Sequence, residues 1–401
     1  MLKDRRIVLG VTGGIAAYKA AELVRELVRR GAKVRVMMTD HACQFVTPLT
    51  FETLSGSPVA TELFRMTGNF EIGHIALAEF AEVVVIAPAT ANLIGKLAAG
   101  IADDLLTTVL LATTTPVLVC PAMNANMYAN PIVKENRARL VSRGYAVLEP
   151  GYGELACRME GWGRLPDVPE IVDEIESLLS PKDLQKEAIL VTAGPTQEPF
   201  DPVRYITNYS SGKMGYAVAV MAKRRGASVT LISGPTALPV PRGVDFVPVK
   251  TALEMRDAVL DRLEKSTVVI MAAAVADYRP EARQETKIKK KAGSLNLCLE
   301  INPDILAEIG KKKGRRILVG FAMETDRLVE NAMAKLTTKG MDFIVANNLT
   351  EAGAGFQTDT NIVRILDWEG GDERFPLMDK LEVAGVILDR VKKVRESGRI
   401  R

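Results

Sequence analysis

The chain is constrained most by a pattern that runs once and then starts again. Ile7–Val11 is a short apolar run ending in glycines. Ile15–Arg30 follows with helical spacing, with Ala16, Ala20, Leu23 and Leu27 on one face and Gly31 as a stop. Apolar runs recur at Val34–Met38, Val83–Ala87 and Val117–Cys120, and the last helical stretch of this half lies near Val168–Leu179. A polar break follows at Ser180-Pro181-Lys182-Asp183. The pattern then resumes with a strand at Ile189–Thr192, a helix at Gly215–Arg225 and strands at Val229–Ile232, Val268–Ala272, Ile317–Phe321 and Phe343–Ala346. Asn361–Leu366 reads as a late, antiparallel strand. Apolar strands separated by helices predict parallel sheets covered on both faces. The expected fold is therefore α/β, with two doubly wound Rossmann-like domains over residues 1–185 and 186–401. Such sheets collect ligands at the C-terminal ends of their strands. Arg29-Arg30-Gly31-Ala32 and Arg224-Arg225-Gly226-Ala227 echo each other. They read as a recurrent helix-to-strand turn, with arginines favourable at the helix C-terminus.

The bulk numbers narrow the function classes. Of the 401 residues, 47% are hydrophobic and 25% charged, the mix of a soluble globular protein. Fifty-two basic and 49 acidic side chains leave a net charge of +3, which argues against a nucleic-acid coat or a membrane surface. No apolar run reaches the ~20 residues of a membrane helix. Cys43, Cys120, Cys157 and Cys298 are widely spaced, which argues against a disulfide framework or zinc site and fits a reducing cytoplasm.

In the first half, Gly10-Val11-Thr12-Gly13-Gly14-Ile15 has the look of a phosphate cradle before a helix. It is not GxGxxG, because Thr12 takes the middle glycine position, and Thr39 precedes Asp40 where a ribose-binding acid is expected. Gly73-His74-Ile75 precedes a helix, while Pro88-Ala89-Thr90-Ala91-Asn92 and Pro121-Ala122-Met123-Asn124 each follow a strand. Cys157 lies in a glycine-bounded stretch, Gly151 to Arg164, that reads as a flap. Together these segments resemble the homo-oligomeric flavin-containing cysteine decarboxylases, and specifically the phosphopantothenoylcysteine decarboxylase domain, over nearly all of residues 5–180.

That resemblance implies a flavodoxin-like domain holding FMN through Gly13, Gly14, Ile15, Thr39, Pro88, Ala89, Thr90 and Asn92. Loss of carbon dioxide from a cysteinyl carboxylate needs an electron sink. Oxidising the thiol carbon to a thioaldehyde creates one, and a flavin accepts that hydride and returns it afterwards. His74 is expected as the base, Met123 and Asn124 as substrate contacts, with Asn124 on the substrate carboxylate, and Cys157 as the proton donor in the reductive step. Arg158 follows the cysteine where the family often has a small residue. Cys43 and Cys120 read as small buried apolar residues.

In the second half, Thr192-Ala193-Gly194-Pro195-Thr196 and the run Arg204-Tyr205-Ile206-Thr207-Asn208-Tyr209-Ser210-Ser211-Gly212-Lys213-Met214-Gly215 suit phosphate binding without being a P-loop. Met271-Ala272-Ala273-Ala274-Val275-Ala276-Asp277 ends a strand, Lys287-Ile288-Lys289-Lys290-Lys291 is basic, and Asn302-Pro303-Asp304-Ile305 starts a helix, with Asn302 as candidate cap. These segments resemble the phosphopantothenate–cysteine ligase domain over roughly residues 186–395. The resemblance implies a CTP- and Mg²⁺-dependent reaction. In it the 4'-phosphopantothenate carboxylate attacks the α-phosphate of CTP, and cysteine's amine then displaces CMP from the acyl-cytidylate. Lys287 and Asn208 carry the expected chemistry, and Arg204 contacts substrate. Met271, Ala272, Ala273, Asp277, Lys287, Asn302, Pro303, Asp304, Ile305, Phe321, Lys335 and Lys339 are expected to hold CTP. The product, 4'-phosphopantothenoylcysteine, is the decarboxylase substrate. The family resemblance also implies trimers of the first domain and dimers of the second, combining into a dodecamer. Two other readings stay open at this point: a nicotinamide-dependent oxidoreductase, which the missing GxGxxG opposes, and a non-catalytic flavoprotein regulator, which the presence of His74, Asn124 and Cys157 opposes.

Overall fold

The computed structural model describes residues 2–64, 73–289, 295–324, 327–348, 355 and 357–401. The chain divides into two compact units, Met1–Ser180 and Pro181–Arg401. Leu184 is already part of the second unit's core, and Asp183 pairs there with Arg225. The physical division therefore falls a few residues before position 185.

The first unit is a five-stranded parallel sheet in the order Lys33–Met38, Arg6–Val11, Val83–Ala89, Val117–Pro121, Ala146–Val147. Every residue of Val83–Ala89 is buried, as expected of a strand covered on both faces. Helices Ala17–Arg29 and Val168–Leu179 pack on one face, and Ala91–Ala99 and Leu105–Ala112 on the other. Val168–Leu179 buries Ile171, Val172 and Ile175, a 3–4 spacing in which each side chain contributes about 1.5–3 kcal/mol. Between Arg6–Val11 and Val83–Ala89 the strand order reverses direction. The loops leaving those strands diverge and open a crevice at their C-terminal ends, the switch point of a flavodoxin-like sheet. The stretch read as a flap is a two-stranded antiparallel ribbon, Gly151–Glu154 with Glu160–Arg164, stapled by an edge-on Tyr152–Trp162 contact.

The main sheet of the second unit has eight strands in the order Asp245–Pro248, Ser228–Ser233, Ala188–Ala193, Val268–Met271, Ile317–Glu324, Phe343–Asn348, Arg364–Asp367, Asp372–Arg374. The first six are parallel and the last two antiparallel. This is the doubly wound order of a Rossmann-like sheet, with its switch point between Ala188–Ala193 and Val268–Met271. Lys213–Arg224 and Lys380–Ser397 cover one face; Ala252–Leu263, Ile305–Lys312 and Leu328–Thr338 cover the other. The expected late strand is split: Thr360–Asn361 pairs with Met378–Asp379, and Arg364–Asp367 joins the main sheet antiparallel.

The echoed Arg-Arg-Gly-Ala turns do the same job twice. Gly31 and Gly226 both take positive φ, and the arginine before each reaches a carboxylate on the last helix of its own unit: Arg30 to Glu176, Arg225 to Asp389.

Candidate active sites

The first crevice is built around Thr12. It is buried, its hydroxyl donates to the Pro88 carbonyl at 2.7 Å, and it accepts the Thr90 N–H at 3.1 Å. A glycine there, as in GxGxxG, would keep only the backbone N–H bond to the Pro88 carbonyl at 3.3 Å and lose both hydroxyl bonds. Thr39 and Thr90 are N-caps, accepting from the N–H groups of Ala42 and Leu93. Gly13 allows a close approach, since a Cβ there would sit 2.3 Å from the Cβ of His41. The resulting cavity of about 1250 Å³ is lined by Gly13, Gly14, Ile15, Thr39, Thr90, Asn92, Met123, Asn124 and Cys157 among others. Ala89 is fully buried in its strand, and Pro88 contributes its carbonyl to Thr12.

Asn124 caps helix Ala125–Ala129 through its Oδ1, which accepts the Asn126 N–H at 2.8 Å. Its Nδ2 donates to the Cys157 Sγ at 3.3 Å. The ribbon reaches this loop because Gly163 has no side chain. A Cβ there would lie 2.1 Å from the Met123 carbonyl, and the Gly163 carbonyl accepts the Met123 N–H at 3.0 Å. Arg158, at the ribbon's tip, takes φ of 62°, the left-handed region that favours a glycine or another small turn residue. Cys157 is exposed, whereas Cys120 is fully buried, with its thiol pushed up by burial and then by Glu174. Cys43 is half-buried and likewise shifted up by burial.

His74 is placed differently. It lies in the first turn of helix Gly73–Phe80 rather than before it, and it is not among the residues lining the cavity. Its Nδ1 is buried and has no hydrogen-bond partner among the described residues. The lining also holds residues that sequence reasoning passed over: Lys19, His41, Lys96, Asp103 and Asp104. The signal for the last three was the Asp-Asp pair before an apolar run. Asp104 caps Leu105–Ala112 in a capping box with Thr107, and Lys96 pairs with Asp103 at 2.7 Å.

The second cavity, about 500 Å³, lies at the second switch point and contains Met271, Ala272, Ala273, Asp277, Asn302, Pro303, Asp304, Ile305, Phe321, Lys335 and Lys339. The Ala272–Asp277 loop is pinned by backbone and hydroxyl contacts. Ala273 N–H donates to Thr192 Oγ1, Ala276 N–H to Thr196 Oγ1, and Asn208 Nδ2 to the Ala274 carbonyl at 2.6 Å. Asn302 does not cap the following helix. Asp304 does, accepting the Ala307 N–H at 3.0 Å, so the helix begins at Ile305; Asn302 instead donates to the Ala276 carbonyl. Lys339 pairs with Asp304 at 3.1 Å. Lys213 and Lys380, not assigned from sequence, also line this cavity. Lys213 donates to Asp359 and the Gln357 carbonyl. Burial, and then Lys213, shifts the Lys380 ammonium down, against Asp359 and Asp379. Arg204 and Lys287 are not among the lining residues; Lys290 and Lys291 lie outside the described residues. No group of three histidine, cysteine or acidic side chains is placed to hold a metal among the described residues.

Fold and lining define a two-site α/β enzyme: one roomy cavity at a flavodoxin-like switch point, one lysine-rich cavity at a Rossmann-like switch point. The family model described as Flavoprotein matches residues 1–180, and that described as DNA/pantothenate metabolism flavoprotein C-terminal domain matches residues 184–394. The chain is 48% identical to the coenzyme A biosynthesis bifunctional protein CoaBC of Bacillus subtilis, over 98% of this chain and 97% of that one. It is 46% identical to the protein of the same name from Escherichia coli, over 97% of each. A crystal structure of the C-terminal domain of a coenzyme A biosynthesis bifunctional protein CoaBC is 42% identical, covering 54% of this chain and 99% of that one, with a TM-score of 0.47. The chain belongs to the family of bifunctional coenzyme A biosynthesis proteins, and it is an enzyme joining a flavoprotein decarboxylase to a ligase.

Proposed function

We propose that the second unit joins 4'-phosphopantothenate to cysteine at the expense of CTP, and that the first unit decarboxylates the product to 4'-phosphopantetheine using FMN. The observation that carries this reading is the placement of each residue set. Asn124 and Cys157 share one switch-point cavity, and Asp277, Lys335 and Lys339 share the other.

In the ligase reaction the phosphopantothenate carboxylate attacks the α-phosphorus of CTP and the bond to pyrophosphate breaks. Cysteine's amine then attacks the acyl carbon and CMP leaves. Charge gathers on phosphoryl oxygens, which lysine ammonium groups stabilise in place. Lys287 takes this role at the transition state, and Asn208 supports turnover of the acyl-cytidylate. Met271, Ala272, Ala273, Asp277, Asn302, Pro303, Asp304, Ile305, Phe321, Lys335 and Lys339 hold CTP, and Arg204 contacts substrate. Mg²⁺ would arrive on the CTP phosphates. The described residues offer no cluster of three histidine, cysteine or acidic side chains to hold it.

In the decarboxylase reaction FMN supplies a hydride acceptor and donor when bound, so net redox change is zero. The close-packed turn at Gly13 and the hydroxyls of Thr39 and Thr90 suit its phosphate end, with Gly14, Ile15 and Asn92 beside it on the cavity lining. Pro88 and Ala89, expected to hold it too, are not lining residues and support that wall from the strand end. Asn124 and Met123 hold the substrate, Asn124 orienting the carboxylate. Cys157 returns a proton, and His74 takes one. Because His74 is not among its own cavity's lining residues, the reading has it act on the cavity of a second copy. That is the working content of the homo-oligomer proposal, with trimers of the first unit and dimers of the second making a dodecamer. Exposed Tyr205 and Leu299, on the second unit's two-stranded antiparallel pairs and outside the cavity lining, support the dimeric contact. No helix among the described residues is long and apolar enough to cross a membrane, and a cytoplasmic enzyme of small anionic metabolites is the proposed setting.

The purified protein should show a flavin absorption band. Given 4'-phosphopantothenate, cysteine and CTP, it should form one CMP and one carbon dioxide per phosphopantetheine. Equal turnover with CTP omitted, or carbon dioxide release by flavin-free protein, would contradict the proposal.

A further inference from the structure

Asp201 is an acid with almost no solvent exposure, yet no acid–base chemistry reaches it. Both its oxygens are used as acceptors. Oδ1 takes the N–H groups of Val203 at 2.8 Å and Arg204 at 2.7 Å. Oδ2 takes Arg204 Nε at 3.0 Å, Arg204 Nη2 at 2.6 Å and the Ile288 N–H at 3.2 Å. Burial alone would raise its carboxyl; the Arg204 side chain and the Val203, Arg204 and Ile288 N–H groups outweigh that and hold it well below the usual carboxylate range.

Arg204 closes the arrangement from the other side. Its Nη2 also donates to the Ile288 carbonyl at 2.9 Å. Ile288 is thus gripped at both its N–H and its C=O. Four residues earlier in the chain, the Gln284 N–H donates to the Phe200 carbonyl at 3.0 Å. The segment Glu285–Lys287 is therefore suspended between two anchor points on one turn, residues 200–204. That turn joins the strands Gln197–Pro199 and Tyr205–Thr207, and the second strand runs directly into Asn208, whose amide reaches the Ala274 carbonyl at the cavity rim. A basic segment on a surface has no need of five donors focused on one buried carboxylate to stay soluble. The arrangement fixes a position.

We propose that Asp201 and Arg204 form a clamp that positions Lys287, so that Asp201 is a positioning residue for the nucleotidyl-transfer step. The inference rests on the reading of Lys287 given above. It adds a second task to Arg204, whose Nε and Nη2 are already engaged, and it assigns Asp201 a role that does not involve touching substrate. A displaced ammonium weakens charge stabilisation in the transition state more than it weakens ground-state binding of CTP.

The test uses the full chain and pyrophosphate release as the ligase readout, with carbon dioxide release from 4'-phosphopantothenoylcysteine measured alongside. Asp201→Asn presents NH₂ to donors and should lower ligase kcat about 10²-fold, the scale of a 1 Å misplacement. The KM for CTP should stay within about threefold and decarboxylation should be unchanged. Arg204→Lys keeps the charge but loses the fork, and should fall in the same direction by less; it also serves if Asp201→Asn does not fold. In a Lys287→Gln background, Asp201→Asn should cause no further loss, because both changes remove one contribution. An equal fold-loss in both backgrounds, or a change confined to KM, overturns the clamp. Full ligase activity in Lys287→Gln instead overturns the reading of Lys287, so the two failures are told apart.

Discussion

The two cavities sit at equivalent places on related sheets and are furnished for opposite work. The first is large and lined by glycines, threonine hydroxyls, amides and one exposed thiol. The second is less than half the size and carries four lysines, Lys213, Lys335, Lys339 and Lys380. One suits a flat cofactor plus a substrate and small proton movements. The other suits a polyanion. The contrast continues outside the cavities. His74 and Lys287 both lie off the lining of their own unit's cavity. Lys287 is followed by a residue gripped through both backbone groups, while the buried Nδ1 of His74 has no partner among the described residues. A doubly wound sheet therefore dictates where a ligand goes but not what is done to it. Chemistry is set by the side chains on the loops.

The sharpest break in this comparison is at Cys157. Cys157→Ser should cut phosphopantetheine formation by about 10²–10⁴-fold while CMP formation continues at its normal rate, followed by chromatography of both products. A ligase loss of similar size would show that the two sites do not work separately. The next largest effect concerns the second unit's scaffold. Arg225 is buried and holds Asp183 at 2.7 Å and Asp389 at 2.6 Å. Arg225→Ala should cost about 1.5–3 kcal/mol by removing its charged hydrogen bonds to Asp183 and Asp389, with Lys392 left as the partner of Asp183. In calorimetry the ligase unit's transition should fall while flavin retention in the first unit is unchanged.

Lys339→Ala should raise the CTP KM about tenfold to a hundredfold, the worth of one charged hydrogen bond, and leave decarboxylase kinetics alone. Added salt should weaken the ligase step in the same one-sided way. The smallest effect is on acid stability. The Arg225 and Lys392 side chains hold the Asp183 carboxyl down at about 2, against 3.8 normally. Because the folded value is depressed, the stability it contributes is complete above about pH 4 and is lost as pH falls toward 2. Glu26 in the first unit, lowered to about 2 by Arg29 and then Arg30, has the same sign, so both units should lose this support in one acid window. A unit that gained stability on acidification through that window would contradict these assignments.

Much of the architecture was legible because strand periodicity and glycine-bounded turns are local signals. The helix expected near Val168–Leu179 is found there, and the Arg-Arg-Gly-Ala echo was read correctly as a turn. Thr90–Asn92 and Met123–Asn124 could be placed after strands for the same reason, whereas Pro88 and Ala89, expected after the strand, form its last two residues. What sequence could not supply was pairing across distance. Thr12 stitching Pro88 to Thr90, Asn124 meeting Cys157, and Asp201 gripping Ile288 each join residues more than thirty positions apart. Asp304 took the place of Asn302 as the helix cap because the helix begins two residues later than expected, where the Asp304 carboxylate meets the Ala307 N–H.

The central claim, two consecutive reactions in two separate units, is tested most directly by a paired substitution experiment in the full chain. His74→Asn should retain flavin and form CMP at the normal rate from 4'-phosphopantothenate, cysteine and CTP, while releasing no carbon dioxide. Lys287→Gln should form CMP only at a small residual rate, yet release carbon dioxide normally when 4'-phosphopantothenoylcysteine is supplied. Mixing the two variants should restore phosphopantetheine formation from the starting substrates. Loss of both reactions in either folded variant, or failure of the mixture to restore the product, would contradict the account.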